Sequence, residues 1–209
     1  MTALELLGVA LGDEATPTLP PISVALGADR PAFAAAEGER GPLLASLIAG
    51  GRLVPDRGQV LLDGIEDPRA LRDAVALVDT PVVAEPAPTL PVGAVVREEL
   101  LFAGRRARRA DVEAQLTRLG LERWRRAPIT DLPPADRLRL LLELAALREG
   151  VRLIVLTSPE RHGGHATAWR RLADELTARG LPVLVIGGAA VLDSLPGTSP
   201  APLSTEGHR

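Results

Sequence analysis

The chain has 209 residues, 46% of them apolar, 24% charged and 2% aromatic, the profile of one soluble globular domain long enough to bury a core. Its 24 basic and 27 acidic residues leave a formal charge of -3, so whole-molecule electrostatics give no reason to expect nucleic acid or an anionic membrane as the main partner. Cysteine is absent, which excludes disulfides, thiolate metal sites and cysteine nucleophiles, and every basic residue is arginine, with no lysine anywhere. No stretch approaches the roughly 18 to 20 apolar residues of a membrane-spanning helix. The opening Met1-Thr-Ala-Leu-Glu5 is not a basic region leading into an apolar one, so a cytoplasmic protein is expected.

In chain order, β-like runs fall at residues 4–9, 22–26, 31–36, 59–62 and 74–78. From Pro81 to about Gly150 the texture changes to a proline-rich approach followed by helical patterns at 95–109, 111–119 and 135–148, which reads as a helical insert. Two further runs, 152–156 and 181–186, are almost continuously apolar, as in strands buried on both faces of a parallel sheet. Between them, residues 168–179 are apolar at helical spacing and stop at Gly180, so strand, helix and strand form a crossover unit. The fold class is therefore α/β. Residues 195–209 are rich in proline and small polar side chains and are expected to form a frayed, flexible tail.

The order of these features resembles the ATP-binding subunit, or nucleotide-binding domain, of ABC transporters along almost the whole chain. After the strand-like Leu4-Glu-Leu-Leu-Gly-Val9 and Ile22-Ser-Val-Ala-Leu26 comes Leu43-Leu-Ala-Ser-Leu-Ile-Ala-Gly50, similar to the helix that follows the family's phosphate loop. The most specific match is Leu53-Val-Pro-Asp-Arg-Gly-Gln-Val-Leu-Leu-Asp-Gly64, with its proline, glycine, apolar strand and aspartate–glycine turn. Ala70 to Val78 resembles the passage leading to the glutamine loop, and Thr89 to Leu101 the start of the helical subdomain. The resemblance implies a P-loop NTPase-like fold with a mixed or parallel sheet, a core lobe at 1–80 and 151–194, a helical subdomain at 81–150 and a tail at 195–209.

The family's chemical positions are all substituted. Its phosphate loop (Walker A) needs a lysine to neutralise phosphate and a hydroxyl to hold magnesium. Here residues 35–43 place Gly38 and Arg40 in the loop, Gly41 at the lysine, Pro42 at the hydroxyl and Leu43 beyond it, while Glu37 and Glu39 repel anions. Proline also removes an N–H donor. At the second acidic motif (Walker B), Pro159 sets the register, so Thr157 replaces the metal-binding aspartate and Ser158 the general base. Glu160 is the one candidate substitute base, against the competing reading of an exposed loop glutamate. The signature loop reads Leu132, Pro133, Pro134, Ala135, Asp136 without its glycines; Thr80 stands at the loop glutamine, and Gly187 or Gly188 at the switch histidine.

Two other patterns have competing readings. His162 and His165 have a spacing seen in metal sites, but the turn around Gly163-Gly164 and the lack of cysteine favour a solvent-facing loop, so no metal is expected. Arg105-Arg-Ala-Arg-Arg109 and Arg123-Trp-Arg-Arg126 make the insert locally basic. With interleaved Asp111, Glu113 and Glu122 and few aromatic residues, a solvated face or protein contact is favoured over nucleic acid.

The expectation is a degenerate, catalytically inactive ABC-type domain, a pseudo-ATPase acting as a non-catalytic subunit or partner in a complex. No cofactor and no catalytic residue is expected, with weak ATP or ADP binding as the alternative. Candidate partners are a membrane permease or a second ATPase subunit, contacted through residues 81–109, which would put the protein at the inner face of the membrane. A soluble regulatory or scaffold protein with no membrane partner is the other alternative.

Overall fold

The computed structural model describes residues 2–189; the expected tail at 195–209 lies outside the described residues. In chain order the elements are β1 (Thr2–Leu11), β2 (Leu19–Gly27), β3 (Ala32–Ala35), α1 (Gly41–Ala49), β4 (Arg57–Leu62), α2 (Pro68–Ala74), β5 (Val75–Val78), α3 (Val92–Phe102), α4 (Arg109–Leu119), α5 (Pro134–Ala145), β6 (Leu153–Thr157), α6 (Ala166–Ala178) and β7 (Val183–Gly187). The strands form two sheets. One is antiparallel in the order β2-β1-β4, and the other is fully parallel in the order β3-β7-β6-β5.

Patterning explains the division. In β2 only one face is buried, as suits a sheet covered on one side, whereas every residue of β5, β6 and β7 is buried. Alternate residues of those strands enter two different cores. Ala76, Val78, Ile154, Leu156, Val183 and Val185 face the helices of the insert and α6. Val75, Leu77, Leu153, Val155, Leu184 and Ile186 face α1 and the antiparallel sheet. Each large apolar side chain so buried contributes about 1.5–3 kcal/mol. Where β1 pairs with β4, the register shift between Leu7 and Ala10 spans Gly8, as does the shift between Leu6 and Val9 against β2, and Gly58 at φ 81 is required because a Cβ there would run into the Leu7 carbonyl.

The strands and helices lie where the sequence puts them, with two adjustments. The helical pattern at 95–109 ends as α3 at Phe102, because Gly104 turns left-handed at φ 66 and the arginine-rich stretch that follows buries nothing but Ala107 in part. The passage at 70–78 resolves into α2, capped by the Asp67 carboxylate on the Arg69 and Ala70 N–H groups, and β5. Between β5 and β6 the chain leaves the sheet for α3, α4 and α5 and returns with Arg152 donating to the Ala74 carbonyl.

Candidate functional site

Because β3, β5, β6 and β7 are parallel, their C-terminal ends share one edge, the edge at which open α/β sheets bind ligands. That edge collects the loop before α1, Asp79-Thr80 after β5, Thr157-Ser158 at β6 and Gly187-Gly188 at β7.

The loop before α1 is tied to the sheet by the Ala36 N–H donating to the Gly187 carbonyl at 3.0 Å. Gly38 is left-handed, and residues 37–40 are exposed. At the first turn of α1, where a phosphate-holding loop presents successive N–H groups, Gly41 donates back to Gly38 at 3.2 Å, Pro42 has no N–H, and Leu44 donates to Arg40 at 3.0 Å. A Cβ at Gly41 would stand 3.0 Å from the Ala36 carbonyl carbon, so this position has little room for any side chain. Arg40, the N-cap, is exposed and makes no capping bond, while Pro42 is buried and Leu43 half-buried.

One turn beyond Pro42 on the same helix, Ser46 reaches the end of β6. Thr157 donates to the Ser46 Oγ at 2.8 Å, and its Oγ1 lies 2.7 Å from the Thr80 Oγ1. All three residues are fully buried. The strand end thus holds a neutral chain of hydroxyls running from α1 through β6 to the loop after β5. Each hydroxyl can both donate and accept, so the chain satisfies itself without a charge. The next residue, Ser158, is 5% exposed and held left-handed at φ 44, with its N–H on the Ile186 carbonyl at 2.8 Å.

Charge is concentrated one residue away from Thr80. Asp79, also left-handed at φ 57 and 1% exposed, receives both terminal nitrogens of Arg137 from α5, at 2.5 and 2.7 Å. His162 Nε2, from the turn after β6, lies 3.3 Å from an oxygen of Asp79 and 3.3 Å from one of Glu85. Arg161 stands 3.1 Å from Glu85 and donates to the Asp79 carbonyl at 3.2 Å. Burial pushes the Asp79 carboxyl up, but hydrogen bonds from His162 and Arg137, together with their charges, outweigh it and hold the group below the usual carboxylate range.

Ligand atoms of Asp79, Glu85 and His162 lie within 4.8 Å of one another, close enough to share a metal ion. The donor set does not favour one, because Arg137 occupies both Asp79 oxygens and Arg161 engages Glu85. The histidine pair read from the sequence is not brought together here: His162 joins this cluster, whereas His165 is the exposed N-cap of α6.

Glu160 is not the exposed loop residue expected. It is half-buried, one carboxylate oxygen accepts from the Gly188 N–H at 3.3 Å, and the other is enclosed with no hydrogen-bond partner among the described residues. A Cβ at Gly187 would meet that carboxylate at 3.1 Å, so the side chain fills space a larger residue at β7 would need. Of the signature-loop residues, Leu132 is buried, Pro133 is the N-cap of α5, Pro134 opens the helix, Ala135 is exposed and Asp136 half-buried in its first turn. Pro134 abuts the left-handed Gly164.

Sequence reading missed Ser46, Asp79, Glu85, Arg137 and Arg161. Asp79 ends an apolar strand and Arg137 follows the signature stretch, but 58 residues separate them and no local pattern pairs them.

Solved structures with this fold are ATP-binding subunits of ABC transporters. A nucleotide-free ATP-binding cassette from an ABC transporter superposes with a TM-score of 0.62 at 15% identity, covering 92% of this chain and 84% of that one. CbiO1 from Clostridium perfringens, part of the ABC transporter complex CbiONQ, gives 0.60 at 15% identity over 90% and 78%. The ADP conformation of another ATP-binding cassette gives 0.59 at 19% identity over 90% and 82%. No protein-family model and no curated protein sequence matches the chain, so the likeness lies in the fold alone.

Proposed function

Starting from the fold of ABC-transporter ATP-binding subunits, we propose that this chain is a non-hydrolysing subunit of that type, a pseudo-ATPase that serves a protein complex by contact rather than by turnover. The observation that carries the reading is the neutral hydroxyl chain Ser46–Thr157–Thr80 at the strand end. Phosphoryl transfer depends on positioned cations and carboxylates that stabilise charge developing on phosphate oxygens. A magnesium nucleotide would meet no carboxylate in that chain, no lysine at Gly41 and no general base at Ser158, so the residues present do not fit the group.

The partner surface we assign lies beside α3. A groove of about 260 Å³ is lined by the apolar Leu77, Val83, Ala84, Pro86, Val95 and Phe102 and by the charged Arg52, Glu85, Glu98, Glu99 and Arg148. Beside it, Val82 is 96% exposed and left-handed at φ 65, a conformation costly for a β-branched residue, and Phe102 is 74% exposed. Apolar groups presented this way suit burial against another protein. Solved relatives in fold include part of a transporter complex, which supports a membrane permease component as the partner. Among the described residues no helix is long and apolar enough to cross a membrane.

The test is Mg-ATP turnover by the purified chain, paired with thermal unfolding in ATP and ADP. No turnover and no shift arising at the strand end are expected, whereas a ligand bound there at 100 times its dissociation constant would stabilise by about 2.7 kcal/mol. Turnover that disappears on Glu160→Gln would sink the proposal. A saturable shift without turnover would leave a nucleotide-binding regulatory subunit. Co-purification with a permease separates a transporter role from a soluble scaffold.

A further inference from the structure

Four arginines from the two basic clusters of the insert, together with Arg97 of α3, line one cleft that the proposed function does not use. It is about 510 Å³, lies between α3, the start of α4 and the segment at 125–126, and is ringed by Arg97, Arg108, Arg109, Arg125 and Arg126. Its floor is apolar, from Pro91, Ala94, Ala107 and Val112.

The arrangement is built into the backbone. The Gly93 N–H donates to the Arg125 carbonyl and the Val92 N–H to the Ala127 carbonyl, both at 2.9 Å, which pins the 125–127 segment to the start of α3. A Cβ at Gly93 would lie 2.9 Å from Arg125 Cγ, so glycine permits the approach. Asp111 accepts from the Arg108 N–H at 2.9 Å and fixes the first turn of α4.

Counter-charge is scarce. Glu113 takes Arg109 at 2.8 Å, and its carboxyl is held below the usual range by that hydrogen bond, with added attraction from Arg109 and Arg125. Arg97, Arg108, Arg125 and Arg126 make no ion pair among the described residues. Like charges gathered from three segments repel one another, and an anion placed between them converts that repulsion into binding. Guanidinium forks match phosphate oxygens in pairs, and a cleft of this volume falls within the range of about 300–1,000 Å³ usual for small ligands.

We propose that the cleft ringed by Arg97, Arg108, Arg109, Arg125 and Arg126 is a binding site for a phosphate-bearing organic anion, its phosphate on the arginine rim and its apolar part on the floor. The site is independent of the strand-end hydroxyl chain and of the groove beside Phe102.

Calorimetric titration of the full chain with pyrophosphate, in magnesium-free buffer, tests it. One saturable site per chain is expected, weakened about tenfold for each of Arg97→Gln and Arg126→Gln, tightened by Glu113→Gln and unchanged by Arg69→Gln. Arg97 and Arg126 are exposed, so unchanged circular dichroism and melting temperature confirm that the variants fold. Vesicles of phosphatidylcholine with and without phosphatidylglycerol distinguish the sources. Binding to the anionic vesicles that pyrophosphate competes away makes the ligand a lipid headgroup, while pyrophosphate binding alone makes it a soluble phosphate compound, and both uphold the site. No saturable binding, binding insensitive to Arg97→Gln and Arg126→Gln, loss on Arg40→Gln instead, or binding only to an oligonucleotide would overturn it. ATP is itself such an anion, so the nucleotide test of the strand end is repeated in the R97Q/R126Q double variant.

Discussion

Thr80 and Asp79 are adjacent in sequence and both fully buried, yet they belong to opposite electrostatic regimes. Thr80 ends a chain of three hydroxyls that carries no charge. Asp79 belongs to a cluster of five ionisable groups, itself included, drawn from the loop after β5, α5 and the turn after β6. The fold places its buried charge where one stretch of protein grips another, tying the helical insert to the parallel sheet, and leaves the strand end neutral. An ionic staple and a neutral strand end can thus sit side by side on one scaffold edge and be tuned separately.

Breaking the staple has the largest expected effect. Arg137→Ala should cost about 3–5 kcal/mol in chemical denaturation, because it leaves Asp79 charged and buried without its main partner. A loss below about 1 kcal/mol would show that the pair is not what holds the insert.

Introducing charge into the neutral half comes next. Thr157→Asp should destabilise by about 2–4 kcal/mol, since a carboxylate replaces a self-satisfied hydroxyl in a fully buried position. Magnesium should not restore the lost stability. Rescue by magnesium would mean that the strand end keeps the shape of a metal site despite its neutrality.

Acid sharpens the comparison from the other side. The folded-state value of Asp79 is depressed, so its contribution is complete above the unfolded-state value of about 4 and is lost as pH falls through the lower folded value. The hydroxyl chain has no such dependence. Asp79→Asn should therefore flatten the stability profile below about pH 4 relative to the parent, and an unchanged profile would remove Asp79 from the account.

Smaller effects follow. Ser46→Ala removes one hydrogen-bonded hydroxyl and should cost about 1 kcal/mol. Phe102→Asp should change stability by no more than about 0.5 kcal/mol, because the ring is mostly exposed, while abolishing capture of a partner that uses the groove.

Much of the fold was legible because two-sided burial writes itself into sequence. The apolar runs at 152–156 and 181–186 became β6 and β7 almost residue for residue, since a strand covered on both faces tolerates few polar side chains. The end of α3 was less legible, because alanine and arginine favour helix wherever they stand and only the left-handed Gly104 records the stop. At the site, Thr157, Ser158 and Thr80 could be located by register against Pro159 and Val78. Their bonding could not, because Ser46 lies 111 positions from Thr157 and a serine inside a helix carries no mark of facing a strand end. The setting of Glu160 is hidden from sequence for a related reason: a proline-flanked glutamate looks solvent-bound until Gly187 and Gly188 are seen to leave it room.

Ser158, held at φ 44, also governs how this chain can change by single steps. A glutamate there would bring a carboxylate into a nearly closed position whose backbone already costs any residue with a Cβ about 1–2 kcal/mol, and a lysine at Gly41 would press on the Ala36 carbonyl before it met any phosphate. Each charge installed alone is thus a loss, repaid only if its companions are already present. Exchange among small hydroxyl residues is the level direction, so the strand end sits in a basin from which drift explores sideways and seldom climbs out.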